Sequence, residues 1–418
     1  MPRINPTVLE NDPLLRGVWE GLGMPECHLT GGYLRDRLLG RESVDLDLAL
    51  PGDLDHARGP AQRLAARLDT RAHVLGRGSK RVWRIEAPKI KVELWPLADL
   101  SLDEDIHRRD FSINALVWRL PNGPFDDRVG GLEDLESGVL RAIKKKNLEE
   151  DPVRLVRAAR FLAQLPEFDL EPRTSRWIRS LAPRMHRAPP ERIGQELLKL
   201  VAAANRERGF QALLNLGILQ RTVRPATRFD EAWIITNVGA ASRMRPNAHP
   251  LPAALAAAGD AAALALLLRT WSSPHPNAIS HFAWPRQIRH HAAIAARMLD
   301  EASVAVEGSA GDRRTFMHRA GTAFPTVLAA AAAVDPDHNW ARWWRLWRTR
   351  GPQLVHPEPL LTGEEVGAVL GLYPSPALGR AIDALTEAQV RGEIRTAEGA
   401  RRWLRRNNQT LECWNVEC

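Results

Sequence analysis

The chain has 418 residues, of which 44% are hydrophobic, so it is long enough to bury a sizeable core and is expected to form two to four domains. Its formal net charge of +8 favours a polyanionic partner, although an Arg-rich composition alone would give the same balance. The three cysteines, Cys27, Cys413 and Cys418, form neither a metal-ligand spacing nor an even disulfide set, which argues against a zinc module or a disulfide-stapled secreted domain.

The elements change in character along the chain. Residues 1–20 are predicted to be a lead-in segment. Helical stretches, the clearest at 62–68, alternate with five β-prone runs near 27–31, 44–50, 72–76, 81–86 and 89–95. After residue 144 the pattern is helical, with strong helices predicted at 149–165 and 191–204 and no convincing strand. The pattern therefore predicts a small α/β head followed by a long all-helical body.

Two hydrophobic signals bear on the membrane question. The N-terminal residues 1–6 lack the apolar core of a signal peptide. The Ala/Leu-rich run 251–268 is interrupted by Gly259-Asp260, so it is predicted to form a buried helix pair and not a membrane span. Together these features predict a cytoplasmic protein with no membrane partner.

Two glycines and two carboxylates near the N-terminus carry the strongest chemical signal. Gly31 and Gly32 follow an apolar run, and without a Cβ atom they let backbone N–H groups approach a phosphate closely. Asp45 and Asp47 lie in a β-prone run, where residues two apart point to the same face of a strand. Either pair alone is most often an ordinary surface feature. Together they predict magnesium-assisted nucleotidyl transfer, because Mg²⁺ prefers carboxylate oxygens.

Two further segments supply polar groups suited to the same site. Glu93 lies in another β-prone run and is predicted to bring a third carboxylate to the metal site, although a lone Glu in a strand is usually solvated. The next motif is residues 108–115. If it starts a helix, Asp110 and Asn114 lie on one face with Arg109 beside them. A carboxylate, an amide and a guanidinium form a polar clamp suited to a ribose and a phosphate. In isolation, a capped amphipathic helix would be the commoner explanation.

The segment 149–161 begins with acidic residues and an early proline, as at a helix N-terminus. Asp151, Arg154 and Arg157 recur every three residues and are predicted to share a face. Asp accepts hydrogen bonds and Arg donates them, so such a pair can match the edge of a base without any nucleic-acid template. A surface ladder of salt bridges is the alternative interpretation.

Four tryptophans further on follow the helical spacing i, i+3, i+4, i+7, with arginines between them. They are Trp340, Trp343, Trp344 and Trp347. This spacing favours a core stripe on an amphipathic helix. The alternative is an RNA-facing surface in which Arg contacts phosphate and Trp contacts base or ribose.

In this order, the segments resemble the bacterial class II tRNA nucleotidyltransferase and poly(A) polymerase superfamily, whose main members are the CCA-adding enzymes. The similarity is dense from Leu29 to about Glu196, and the runs 360–372 and 400–404 are similar to the family's tail, which grips the tRNA elbow. The resemblance implies an α+β fold, in which a head with an antiparallel-type sheet precedes an extended all-helical neck, body and tail. The implied boundaries are 1–20 for the lead-in, 21–143 for the head, 144–215 for the neck, 216–350 for the body and 351–418 for the tail.

The resemblance also implies roles for residues of the head. Three groups match the family's triphosphate-binding turn, its catalytic carboxylates and its ribose motif. These groups are, respectively, Gly31, Gly32 and Arg35; Asp45, Asp47 and Glu93; and Arg109, Asp110 and Asn114. Within the carboxylates, Asp45 and Asp47 match the family's metal ligands.

Three more groups match motifs outside that set. They correspond to the family's hinge, to the amino-acid template in the neck that reads the bases of CTP and ATP, and to the helix that steadies this template. These groups are, respectively, Asp127, Gly131 and Asp134; Glu150, Asp151 and Arg154, with Arg157 as a supporting base or phosphate contact; and 191–193 with Glu196.

The resemblance implies Mg²⁺ as the cofactor, and tRNA and CTP as partners, with ATP added for a full CCA-adding enzyme. Only residues 94–107 separate Glu93 from Arg108, whereas many CCA-adding members have a longer loop there. Because family members that stop after two cytidines often have this loop shortened, CC addition is narrowly favoured. A full CCA-adding enzyme is the first alternative, followed by an A-adding enzyme or a poly(A) polymerase. A non-catalytic RNA-binding protein is the alternative from a different class.

Overall fold

The computed structural model describes residues 7–76, 78, 81–98, 101–222, 262–266, 282 and 284–412. The chain divides into two compact units, Met1–Thr222 and Val223–Cys418. The five-part division implied by the resemblance is finer than this and stays a prediction.

A seven-stranded sheet, in the order β3-β4-β5-β2-β1-β6-β7, lies at the centre of the first unit. All five predicted β runs are confirmed, and the sheet is antiparallel except for the parallel pair β2 and β5. The strands are β1 (His28–Thr30), β2 (Asp45–Leu50), β3 (Ala72–Leu75), β4 (Val82–Ala87), β5 (Ile90–Pro96), β6 (Val117–Arg119) and β7 (Phe125–Asp126).

The predicted helical runs at 62–68 and 191–204 are present in the first unit as helices that end at Arg67 and Val201. The helices of this unit are α1 (Thr7–Glu10), α2 (Pro13–Gly21), α3 (Gly31–Leu38), α4 (Arg58–Arg67), α5 (Leu102–His107), α6 (Gly131–Ser137), α7 (Lys145–Glu150), α8 (Val153–Gln164), α9 (Pro172–Leu181), α10 (Pro190–Val201), α11 (Arg206–Asn215) and α12 (Leu219–Thr222).

Two details of the predicted helical part are wrong. The predicted helix 149–165 is interrupted at Asp151, which has extended backbone angles (φ −133°, ψ 87°), because a residue before proline is disfavoured in the helical region. A two-residue strand, β9 (Asp169–Leu170), also pairs in parallel with β8 (Val139–Leu140), although no strand was expected after residue 144. Two residues are too few for a periodic pattern to reveal.

Every regular element described in the second unit is a helix. Residues 262–266 are helical and buried, and the rest of the run 251–268 lies outside the described residues. Across the described chain, no helix combines the length and hydropathy needed to cross a bilayer. The remaining helices of this unit are Arg286–Glu307, Ala310–Ala320, Phe324–Val334, Trp340–Val355, Gly363–Leu370, Pro376–Arg391 and Ala397–Glu412.

The tryptophan stripe belongs to the core of the second unit. Trp340, Trp343 and Trp344 are each less than a tenth exposed, and the half-buried Trp347 stacks on Phe324 with ring centroids 4.8 Å apart. The arginines between them are exposed on the same helix; they are Arg342, Arg345 and Arg348. The core interpretation is therefore confirmed.

Trp344→Ala is expected to lower the free energy of unfolding by about 3–5 kcal/mol, because it leaves a cavity where a large aromatic ring is buried. The neighbouring Arg345→Ala should change it by less than about 0.5 kcal/mol, since Arg345 is exposed. Urea unfolding of the two variants and the wild type measures both values. Equal losses for the two variants would contradict a core role for the ring.

Candidate active site

The first element of the site is the turn from β1 into α3. Gly31 begins the helix with φ +77°, a left-handed conformation that glycine adopts most easily. A Cβ atom on Gly31 would lie 2.5 Å from Asp47 Oδ2, whereas one on Gly32 would meet only the guanidinium of Arg35, at 3.5 Å or more. The predicted Gly-Gly turn is therefore present, and Gly31 is the glycine that lets the turn approach the carboxylate.

The predicted carboxylates meet on neighbouring strands. Asp45 and Asp47 lie on β2, and the parallel register of β2 and β5 makes Glu93 the Cα partner of Asp47. Asp47 is half-buried, while the side chain of Asp45 is 65% exposed. Burial, together with the negative charges of Glu93 and Asp45, raises the pKa of Asp47 to about 6, although the positive charge of Arg109 opposes the rise. The three carboxylates thus concentrate negative charge at this point of the two strands.

Two cations that the sequence analysis missed stand among these carboxylates. Arg84, on β4, is the cross-strand partner of Glu93 and forms an ion pair with it. Lys91 Nζ lies 3.8 Å from Asp45 Oδ1 and 4.0 Å from Glu93 Oε1. The sequence does contain a signal for the Arg84–Glu93 pair. A two-residue turn joins β4 and β5, and the register of this hairpin places Arg84 opposite Glu93.

The ribose motif is built differently from the prediction. The prediction that a helix starts here is wrong. Helix α5 ends at His107, and only a short 3₁₀ turn, Ser112–Asn114, follows. Ser112 N donates to Arg141 O at 3.0 Å, and this pairing holds the backbone extended just before the turn. The predicted contact still forms, because Asn114 Nδ2 donates to Asp110 Oδ1 at 3.1 Å.

Arg109 is positioned by a buried carboxylate that the sequence analysis also missed. Arg109 Nη2 donates to Asp105 Oδ2 at 2.6 Å, and its Nη1 donates to the Asn114 carbonyl at 3.1 Å. Arg108 binds the other oxygen of Asp105 at 2.8 Å. Burial acts to raise the pKa of Asp105, but the two guanidiniums outweigh it and hold the pKa below its ordinary value. The spacing i, i+4 on a helix was an available signal for this pair.

A continuous polar chain links the glycine turn to helix α8. Arg35 Nη1 donates to Asn114 Oδ1 at 2.7 Å, and Arg157 Nε lies 3.0 Å from Asp110 Oδ2. Burial would raise the pKa of Asp110, but the charge of Arg157 and the hydrogen bonds from Asn114 and the Phe111 N–H keep it below its ordinary value. The side chains predicted for triphosphate, ribose and base contacts are therefore one connected network.

Helix α10 holds one of the predicted template side chains, Asp151, and also pairs with Arg160 on α8. Arg192 donates both terminal nitrogens to the carboxylate of Asp151, at 3.0 and 2.7 Å, and Glu196 lies 2.6 Å from Arg160. Arg154 Nη1 donates to the carbonyl of Arg108 at 2.8 Å. These contacts orient the side chains into a cleft, so a ladder of salt bridges on an open surface does not describe them.

The predicted hinge segment is closely bonded. Asp127 accepts hydrogen bonds from the N–H groups of Gly131 and Leu132 at 2.8 and 2.9 Å. Asp134 is paired with Arg141 at 2.7 Å. A Cβ on Gly131 would lie 2.4 Å from the Ser112 carbonyl oxygen, so this glycine permits the close contact between α6 and the 3₁₀ turn. Its role as a hinge stays a prediction.

All the predicted catalytic and nucleotide-binding residues line one cleft of about 1100 Å³ in the first unit. They are Gly31, Gly32, Arg35, Asp45, Asp47, Glu93, Arg109, Asp110, Asn114, Asp151, Arg154 and Arg157. Missed by the sequence analysis, Arg84, Lys91 and Asp105 line the same cleft.

The carboxylate set fits a hard divalent cation by its chemistry. Within the described part of the chain, no three Asp, Glu, His or Cys side chains are grouped closely enough to hold a metal as they stand. Asp45, Asp47 and Glu93 nevertheless offer oxygen ligands at adjacent strand positions. Burial is the main cause of the raised pKa of Asp47, and the charges of Glu93 and Asp45, which a bound cation would offset, add to it.

Comparison with known proteins gives consistent matches. Residues 27–141 match the family model described as the poly A polymerase head domain, and residues 167–227 match the probable RNA and SrmB- binding site of polymerase A. The chain is 30% identical to the A-adding tRNA nucleotidyltransferase of Deinococcus radiodurans, covering 91% of this chain and 95% of that protein. It is 27% identical to the CC-adding tRNA nucleotidyltransferase of Synechocystis sp., over 90% and 92% of the two chains. The crystal structure of the Bacillus stearothermophilus CCA-adding enzyme in complex with CTP shares the fold, with a TM-score of 0.69, 22% identity and coverage of 97% and 100%.

Proposed function

The chain belongs to the class II tRNA nucleotidyltransferase superfamily, and from this premise we propose that it is a CC-adding enzyme that extends the 3′ end of tRNA with CTP. The observation that carries the proposal is the single cleft lined by the glycine turn, the three carboxylates and the Asp151–Arg154 pair. The substrates, the Mg²⁺ cofactor and the roles of individual residues below are parts of the same proposal.

Different residues of the cleft have different roles in the proposed reaction. Backbone N–H groups at Gly31 and Gly32, with Arg35, bind the triphosphate, and the Asp110–Asn114 pair positions the ribose. The 3′-hydroxyl oxygen of tRNA forms a bond to the α-phosphorus while the bond to the β-phosphate oxygen breaks. Pyrophosphate leaves, and the hydroxyl proton passes to a carboxylate of the set. A divalent cation held by Asp45 and Asp47, with Glu93 as the third carboxylate of the set, would supply Lewis-acid activation.

Specificity for CC addition is supported by the short connection between β5 and the Arg108-Arg109 motif. β5 ends at Pro96 and α5 begins at Leu102, so only residues 97–101 connect them. Ser101 and Glu104 form a capping box at the start of α5, and Asp105 then binds both arginines. This segment is built as a strand and a capped helix, in place of the longer loop found in many CCA-adding members.

A-adding activity is the second candidate, because the relative named for that activity is the more identical of the two, at 30% against 27%. The deciding experiment uses three tRNA transcripts that lack CCA, end in C or end in CC, with Mg²⁺ and with CTP and ATP supplied separately and together. Two cytidine additions to the transcript that lacks CCA, with no adenosine addition to the CC-ending transcript, would establish a CC-adding enzyme. Adenosine addition to the CC-ending transcript, with no cytidine addition to the other two, would establish the A-adding candidate. Both reactions would establish a full CCA-adding enzyme.

Asp151→Ala is expected to reduce the preference for CTP over UTP and GTP by about 10- to 100-fold, because a half-buried hydrogen-bonding partner for the base is lost and Arg192 no longer has its carboxylate. Glu136→Ala, which removes an exposed carboxylate outside the cleft, should keep the preference. The measurement is kcat/KM for each nucleotide on one tRNA transcript. A uniform loss for all nucleotides would contradict the template role.

A further inference from the structure

The two cations among the carboxylates differ in how firmly they are held. Arg84 lies directly opposite Glu93 in the antiparallel β4–β5 register and forms its ion pair there. Lys91 is the Cα partner of Asp45 in the parallel register of β2 and β5, and its ammonium lies within 4.0 Å of both Asp45 and Glu93. The Asp45 side chain is 65% exposed and that of Lys91 is 33% exposed, so solvent reaches both side chains of this pair.

An ammonium at this position meets the same oxygen atoms that a divalent cation would use. Like charges a few ångströms apart repel strongly, so both cations cannot occupy these oxygens without cost. We propose that Lys91 is a built-in counter-ion that competes with the divalent cation for Asp45 and Glu93, and this inference rests on the proposed function of the site. Lysine suits such exchange, because its ammonium is a compact charge on a flexible stem, whereas the planar guanidinium of Arg84 is better suited to a fixed pair.

The consequence is weak cation binding before a nucleotide arrives. In the nucleotide-free enzyme, Lys91 and Arg84 offset part of the charge of the three carboxylates. A nucleotide triphosphate in the same cleft offers its own anionic oxygens to the ammonium, which frees Asp45 and Glu93 for the metal. Lys91 therefore couples metal binding to nucleotide binding without taking part in the bond that forms or breaks.

The test measures binding of Mn²⁺ alone to the full chain, without nucleotide or tRNA, from the loss of the free Mn²⁺ signal in electron paramagnetic resonance. Lys91→Met should bind Mn²⁺ about tenfold more tightly than the wild type, and Lys91→Gln should show the same gain. The matched control is Lys89→Met, which removes the same charge from the exposed turn between β4 and β5 and should leave the affinity unchanged. Affinity for Lys91→Met that is equal to or weaker than that of the wild type would overturn the inference.

Asp47→Asn separates this inference from the proposed function. If the wild type binds Mn²⁺ and Asp47→Asn does not, the metal site stands, and the Lys91→Met result alone decides the role of Lys91. If neither the wild type nor Lys91→Met binds Mn²⁺ at millimolar concentration, the proposed metal site fails and the counter-ion role fails with it. Circular dichroism of each variant verifies that the fold is retained.

Discussion

Asp47→Asn is expected to abolish nucleotide addition while tRNA binding stays unchanged. The substitution removes a charge that is proposed to bind the metal, and such interactions contribute several kcal/mol in the transition state. The expected loss in kcat is therefore about 10³-fold or more. Single-nucleotide extension of a tRNA transcript measures the rate, and filter binding measures the affinity for tRNA. Addition at a rate near that of the wild type would remove Asp47 from the mechanism, whereas the absence of addition by the wild type itself would favour a non-catalytic RNA-binding protein.

The same substitution has an expected effect on stability that depends on pH. Burial and the charge of Glu93 raise the pKa of Asp47 to about 6, so the folded chain binds this proton more tightly than the unfolded chain does. The stabilising contribution of the protonated carboxyl is fully present below about pH 4 and is lost as the pH rises through 6. Above that pH, ionised Asp47 costs the metal-free protein about 3 kcal/mol, a cost that the amide of Asn does not carry.

Urea unfolding in the presence of a chelator, at pH 4.5 and pH 7.5, measures this difference. Asp47→Asn should gain stability relative to the wild type between the two pH values. The control Asp55→Asn changes an exposed carboxylate of the same unit and should show no such gain. A difference between Asp47→Asn and the wild type that stays constant with pH would contradict the raised pKa.

Gly31→Ala is expected to reduce kcat/KM for nucleotide addition by at least about 100-fold. The new Cβ would lie 2.5 Å from Asp47 Oδ2, a distance that forces either the carboxylate or the turn to move. Alanine is also strained at the observed φ of +77°. Because a misplacement of about 1 Å is enough to cost 10²-fold, the displaced carboxylate accounts for a loss of this size.

Gly32→Ala is the matched control for this prediction. A Cβ on Gly32 would meet only the guanidinium of Arg35, at 3.5 Å or more, which is an ordinary contact. Alanine also keeps the backbone N–H that is proposed to bind the triphosphate. Gly32→Ala should therefore retain activity within about tenfold of the wild type. Equal losses for the two variants would mean that the steric contact with Asp47 is not the cause.

Several features of the site followed from local sequence rules. The alternation of a β-strand put Asp45 and Asp47 on β2 and Glu93 on β5, and the structure confirms all three strand positions. The glycine turn at Gly31 was predicted from another local rule, since a turn at the end of a strand, beside a predicted phosphate site, favours residues without a Cβ. Each of these rules acts within a few residues, so one sequence is sufficient to apply it.

Other features depended on backbone pairings that no local rule describes. The segment after Arg109 has the spacing of a helix start, but the hydrogen bond between Ser112 and Arg141 holds it extended. There, tertiary contacts overrode a local preference.

The break in the helix predicted over 149–165 is different, because it follows from a local rule. Asp151 precedes Pro152 and therefore disfavours the helical region, but the prediction gave more weight to the helical periodicity.

The sequence by itself determined the chemistry of this protein: which residues could bind phosphate, metal, ribose and base, and the order in which they occur. Only the tertiary structure decided which of them touch. Arg35 reaches Asn114 across 79 positions, and Arg192 reaches Asp151 across 41. The physical reason is one of range, because strand and helix periodicity constrains neighbours within about one turn, whereas these contacts depend on how the sheet and the helices of the first unit pack together.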